Sequence, residues 1–412
     1  MGSYCELRFD EISISSWKSS VPDEFIYLFQ ESDRRLVPRV REDDESDEDP
    51  EFDIQYSATR AVVLRRLDLA GYTEDEARNS FEEWRKSELE TWIEYAKDGD
   101  WAADSAKALE TFTYSDWQER MKDVLLTRYD FTRDRETFTD EIDRQMRNND
   151  EGWLFFGSDH LMVLRAMLDT LSDVREVTLD ISDLVHGGYI DGDDRICEQR
   201  RTPDAGERSI LEPTVIIAEG STDILVLRRS LERLYPELAD YIAFFDYEGS
   251  NADGGTSFVV KFLRAFIAAR ISTSILAIFD NDAVGVEAFN AANALRLPDN
   301  IKVTLLPKIA LASSYPTIGP QGNHDADVNG RAASIELFLG RHNLTIDGAL
   351  IPVVWTNFIS RIDRYQGVLR DKSKPFDRFL EETATDDPGV DYKLRYPELV
   401  VLWEHIFAVL RP

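Results

Sequence analysis

The chain has 412 residues, with 79 acidic side chains against 47 basic ones and a formal net charge of −32 at pH 7. That balance excludes loose electrostatic attachment along nucleic acid, which needs a basic face, so any contact with phosphates must be local. No run of ~18 apolar residues occurs, which excludes a helix that spans a membrane, and two cysteines, Cys5 and Cys197, are too few for a disulfide framework or a zinc ribbon.

From the N-terminus, Cys5, Leu7, Phe9, Ile12 and Ile14 alternate with polar residues and predict a strand or hairpin. The opening residues lack the basic and apolar regions of a secretory signal, so a cytoplasmic location is expected. Residues 42–49 (EDDESDED) hold no apolar side chain and read as a solvated surface loop. Helical periodicity begins near Ala58 and stops at Gly71, a C-cap candidate. Thr73 and Glu76 form a capping box that opens a helix with Ala77, Phe81, Trp84, Trp92 and Ile93 on one face. Further helices are expected at 116–129 and 159–171, with their Trp and Met residues as core, and a strand at 174–181. Residues 186–208 turn to Gly, Asp and Arg, and read as a hairpin followed by a linker.

The centre of the chain changes rhythm. Short apolar runs at 214–218, 242–245, 274–279 and 303–306 alternate with helical patterns at 223–235, 258–270 and 284–295. Such alternation predicts a parallel sheet covered by helices on both faces. Two of these strands end directly in acids, Glu219 after the first and Asp280 with Asp282 after the third. The carboxyl ends of strands are where open α/β sheets bind ligands, and clustered carboxylates there suit a hard divalent ion. D-x-D spacing recurs at Asp47/Asp49, Asp98/Asp100, Asp191/Asp193 and Asp325/Asp327, but only Asp280/Asp282 follow a continuous apolar strand and precede a helix. The glycine-containing loop before the 258–270 helix offers amides to a phosphate; a plain crossover loop is the alternative.

The wording AEGSTD around Glu219 and IFDNDAVG around Asp280 and Asp282 resembles the Toprim domain, the metal-binding module of topoisomerases, primases, recombination proteins and OLD nucleases. EGSTD, with Asp223 four residues after Glu219, is most similar to the OLD-type defence nucleases. The resemblance spans 214–307 and weakens toward Gly340. It implies Mg²⁺ (or Mn²⁺) held by Glu219, Asp280 and Asp282. Glu336, in an Ile-Glu setting, completes that metal set in similar proteins; Asp325 and Asp327 are its local competitors, and a plain surface glutamate is the other reading. Glu219 is then a metal ligand or the general base, Asp223 a further catalytic acid, and Lys308 the cation that stabilises the leaving oxygen, with Lys261 the second choice. The first 200 residues, through MGSYCELRFD, KSSVPD, RRLDLAGYT and VTLDISDLVHGGYID, resemble the N-terminal domain attached to HEPN or Toprim effectors. HEPN ribonucleases use an Arg-x4–6-His motif, and none of the five histidines supplies one in a helical setting.

The expected architecture is α/β. A mainly helical N-terminal domain with a small β element fills 1–208, a Toprim-like Rossmannoid parallel sheet fills 209–340, and a helical region fills 341–412. In that last region Val353, Trp355, Phe358, Ile359 and Ile362 stand at helical spacing. It is expected to carry no chemistry, and either packs on the sheet domain or forms a homodimer surface. The expected activity is a metal-dependent nuclease acting on DNA or RNA, tRNA included. Prokaryotic anti-phage defence or a toxin role, and a partner defence protein, are what the resemblance implies. The alternatives are topoisomerase or primase chemistry, whose accessory residues are not evident, and a module that senses a nucleotide or partner without cutting.

Overall fold

The computed structural model describes residues 2–39, 52–127, 138–147, 153–201, 212–250, 254–320, 322–385, 387 and 389–411. The acidic run at 42–49 and the junction at 202–211 lie outside these. The chain divides into two compact units, Met1–Leu211 and Glu212–Pro412.

In the first unit the alternating N-terminal residues form the hairpin β1 (Tyr4–Phe9) and β2 (Ile12–Lys18), turned by Asp10 at φ 48°. With β3 (Arg34–Pro38), β4 (Phe52–Thr59) and β5 (Glu176–Asp180) it makes an antiparallel sheet in the order β2-β1-β5-β4-β3. The strand expected at 174–181 is thus the central one. Helices α1 (Arg60–Leu69), α2 (Glu74–Asp98), α3 (Ala103–Thr111), α4 (Tyr114–Thr127) and α5 (His160–Thr170) supply the rest of the core. Gly71 stops α1 at φ 91°, a left-handed position that glycine adopts without strain. Thr73 Oγ1 accepts from the Glu76 amide at 3.3 Å and opens α2. Phe81, Trp84, Phe112, Trp117, Trp153 and Phe156 meet ring to ring, so these aromatics are core. Instead of a hairpin, the stretch after 186 carries a short helix, Ile196–Arg201.

The second unit is built on four parallel strands, β6 (Thr214–Ile217), β7 (Ile242–Phe244), β8 (Ile275–Phe279) and β9 (Ile301–Leu305), in the order β9-β8-β6-β7. All five residues of β8 are buried, as a strand covered on both faces requires. Ile217, Ile275, Ala277 and Phe279 pack against α7 (Thr256–Ala269) and α8 (Ala283–Asn293) through Val259, Leu263, Ala288 and Ala292. Elsewhere in the unit α6 (Ser221–Leu234) meets the C-terminal helix Pro397–Leu410, where Trp403 Nε1 donates to Ser230 Oγ at 2.8 Å. His405 Nε2 of that helix lies 2.8 Å from Thr304 Oγ1 on β9. The chain leaves β6 toward β7 on one side, then returns through α7 to β8 on the other. Strand order therefore reverses between β6 and β8, and the crevice at their carboxyl ends is the switch point of the sheet.

A second four-stranded sheet flanks this point, with β10 (Tyr315–Gly319), β11 (Gly322–Ala326), β12 (Val353–Ile359) and β13 (Arg364–Leu369) in the order β11-β10-β12-β13. The helix expected around Val353–Ile362 is instead the hairpin β12–β13. Its apolar positions fit either period, and its β-branched and aromatic content, with Asp363 turning at φ 52°, decides for strands. Helices follow at Ser373–Glu382 and Pro397–Leu410.

Gly285 seats α8 on the end of β8. A Cβ there would stand 2.1 Å from the Asp280 carbonyl oxygen. Alanine is the better helix former by about 1 kcal/mol, but the clash dominates. Gly285→Ala is expected to destabilise the fold by about 1–3 kcal/mol, read as a lower urea midpoint. A raised midpoint would show that α8 does not rest on Asp280.

Candidate functional site

Glu219 follows β6 and Asp280 follows β8, so the two acids stand on opposite sides of the switch point. The Asp280 amide donates to Glu219 Oε1 at 3.0 Å and joins the strand ends. Gly255, in the left-handed region at φ 85°, donates its amide to the Glu219 carbonyl at 2.5 Å, and a Cβ at Gly254 would stand 2.9 Å from the same oxygen. The glycine loop therefore serves the Glu219 backbone, and its Gly255 amide is committed there instead of to a phosphate.

Asp223 caps α6: its Oδ2 accepts from the Gly220 amide at 2.8 Å. Asp282 caps α8, where Oδ1 accepts from the Gly285 amide at 2.7 Å. Residues 281–282 pair with Ala332–Ala333, and the Gly330 amide donates to the Asn281 carbonyl at 2.8 Å. That short ladder carries the turn Ile335–Phe338, and Glu336 with it, to the D-x-D segment. Ser334 Oγ donates to Glu336 Oε2 at 2.5 Å.

The five acids share one field. Burial pushes the Glu219 carboxyl up to about 8, with the charges of Asp282 and Asp223 adding to it. Burial, then Glu336, raises Asp223 to about 7. Asp280 is raised well above the carboxylate range by burial and by all four neighbours. Asp282 rises through burial, opposed by its bonds to Gly285 and Gln366.

Two residues that sequence reasoning passed over complete the arrangement, both from the segment expected to carry no chemistry. Gln366 on β13 donates from Nε2 to Asp282 Oδ2 at 2.6 Å, while its Oε1 accepts from the amides of Ala283 and Val284 at 2.9 and 3.1 Å. Lys372 Nζ lies 3.9 Å from Glu336 Oε1 and lowers the Asp223 pKa against its neighbours. Lys308 and Lys261 are exposed, and among the described residues neither forms a hydrogen bond or ion pair with these acids. Asp325 and Asp327 also stand apart: Asp325 is exposed on β11, and Asp327 Oδ1 accepts from the amide and side chain of Asn329. A glutamine and a lysine beside a strand carry no motif, so only their placement reveals them.

Among the described residues, no three acids, histidines or cysteines are gathered as a closed ligand set for a metal ion. Glu219, Asp223, Asp282 and Glu336 each spend an oxygen on a neighbouring amide or hydroxyl instead. The donor chemistry nevertheless fits a hard divalent cation: five carboxylates, with side-chain oxygens of Asp280 that accept no hydrogen bond among the described residues.

Residues 1–204 match the family model of HEPN/Toprim N-terminal domain 1. The match supports the HEPN/Toprim-associated family and ends before β6. No curated protein and no solved structure matches the chain. Among the described residues no helix is long and apolar enough to cross a membrane.

The raised carboxyls set the pH dependence of stability. The folded state holds the Glu219 proton up to about 8, whereas its ordinary pKa is 4.5. Stability from this group is present below 4.5 and lost as pH rises toward 8. In EDTA, Glu219→Gln should therefore melt above wild type by a margin that grows across that window and vanishes below it. A margin independent of pH would contradict the assignment. Gln366→Ala should lower stability by about 1–3 kcal/mol, because two helix amides lose their acceptor; chemical denaturation at neutral pH measures this.

Proposed function

We propose that residues 212–412 form a nuclease that hydrolyses phosphodiester bonds with Mg²⁺ or Mn²⁺. The observation that carries this reading is the gathering of Glu219, Asp280, Asp282 and Glu336 at the switch point, with Lys372 as their cationic neighbour. Asp280, Asp282 and Glu219 would hold the ion, and Asp223 and Glu336 would extend the set. When bound, the ion supplies positive charge to the phosphate and lowers the pKa of water. As the alternative to holding the ion, Glu219 would act as general base for the attacking water. Gln366 fixes the Asp282 carboxylate and, through the same side chain, the start of α8. Lys372 takes the part expected of Lys308, offering positive charge to the leaving oxygen. The family match over 1–204 and the resemblance of the second unit support a place in prokaryotic defence.

A second reading, a module that senses a nucleotide or a partner protein without cutting, rests on the structural hydrogen bonds that already engage an oxygen of Glu219, Asp223, Asp282 and Glu336. One assay separates the two. The purified full chain is incubated with plasmid, single-stranded DNA and tRNA in Mg²⁺ or Mn²⁺. Wild type should cut, Asp280→Ala should not, and Glu219→Gln should cut about 10²–10⁴-fold more slowly. Lys372→Ala should slow cleavage where Lys308→Ala does not. Metal-dependent cleavage that survives Asp280→Ala would overturn the site, and silence on every substrate would favour the binding module.

A further inference from the structure

The hairpin β12–β13 presents aromatic side chains to solvent. Phe358 is 47% exposed and Tyr365 59%. They are cross-strand partners, and their rings meet edge to face with centroids 5.0 Å apart. Arg361 in the turn is 84% exposed and reaches Glu287 at 2.9 Å. Arg364, Arg370, Lys372 and Lys374 follow, all exposed. Residues 353–374 thus hold five basic side chains against two acidic ones, Asp363 and Asp371, in a chain of net charge −32. The residue after Tyr365 is Gln366, which holds Asp282. Neighbours on a strand point to opposite faces, so the Tyr365 ring and the Gln366 amide lie on opposite faces of the edge strand β13, which runs on toward Lys372 beside Glu336.

We propose that this hairpin docks a single strand of nucleic acid whose unpaired bases stack on Phe358 and Tyr365. The inference rests on the nuclease reading above and names its substrate class. A duplex hides its base faces, so exposed rings gain little from it, whereas an unpaired base offers a π-face to each ring. The guanidinium and ammonium groups along the hairpin complement the phosphates of that strand locally, where the remainder of the chain repels them. From the rings, a bound strand would follow the edge strand β13 toward Lys372 and Glu336.

The test uses the full chain carrying Asp280→Asn, so that bound strands are not consumed, with and without Phe358→Ala/Tyr365→Ala. Fluorescence anisotropy is read on oligothymidylate, on oligouridylate and on a duplex. The alanine pair is expected to weaken single-strand binding about 10-fold or more, to leave duplex binding and the melting temperature unchanged, and to be rescued by Phe358→Trp/Tyr365→Trp. The loss falls on whichever strand binds, which also names the sugar. Equal single-strand affinity in the alanine pair would overturn the proposal. So would loss of a dimer in sedimentation with strand binding intact, which would make the hairpin a self-association surface. Strand binding that depends on the aromatic pair, in a protein that never cuts, would remove the nuclease reading and leave this surface standing. Cleavage by a protein whose strand affinity ignores the pair would do the reverse.

Discussion

The hydrogen bond from the Asp280 amide to the Glu219 carboxylate, at 3.0 Å, is the contact on which the second unit turns. It joins two strands adjacent in the sheet but separated along the chain by β7 and two helices. β8 is buried on both faces, so its end is fixed by packing, and α8 is pressed against that end through Gly285. Burial and the neighbouring charges raise the proton affinity of the carboxylates at this crevice.

The acids and their context are readable in the sequence for a physical reason. A strand covered on both faces must be continuously apolar, and an acid directly after it is visible as a break. Glu219, Asp280 and Asp282 stand out in this way from four other D-x-D pairs. What brings Glu336 to them is a two-residue ladder, Asn281–Asp282 with Ala332–Ala333, too short to leave any periodicity. Gln366 is less legible still, a neutral side chain 84 residues from the Asp282 it holds. Reading Val353–Ile362 as a helix left the strand that carries Gln366, Arg364–Leu369, unseen. Lys372 is 36 residues from Glu336 along the chain and 3.9 Å from its Oε1 in space.

The net charge now has a local counterpart. A chain of −32 cannot hold a polyanion by surface attraction. Of the basic side chains of 353–374, Arg361 and Arg364 lie on the hairpin that carries Gln366, and Arg370, Lys372 and Lys374 lie just after it.

The central claim is that the carboxylates at the switch point answer to a divalent cation. Thermal unfolding of the full chain with and without millimolar Mg²⁺ or Mn²⁺ tests it most directly, against the variant Asp280→Asn/Asp282→Asn, whose amides keep the shape and the helix cap. Binding to the native site alone raises the melting temperature by mass action. Wild type should show a metal-specific rise that an equal ionic strength of NaCl does not reproduce, and the variant should lose it while melting higher in EDTA. An equal rise in both proteins would mean screening of a generally acidic surface, and Asp280 and Asp282 would then be structural acids with no claim on a metal.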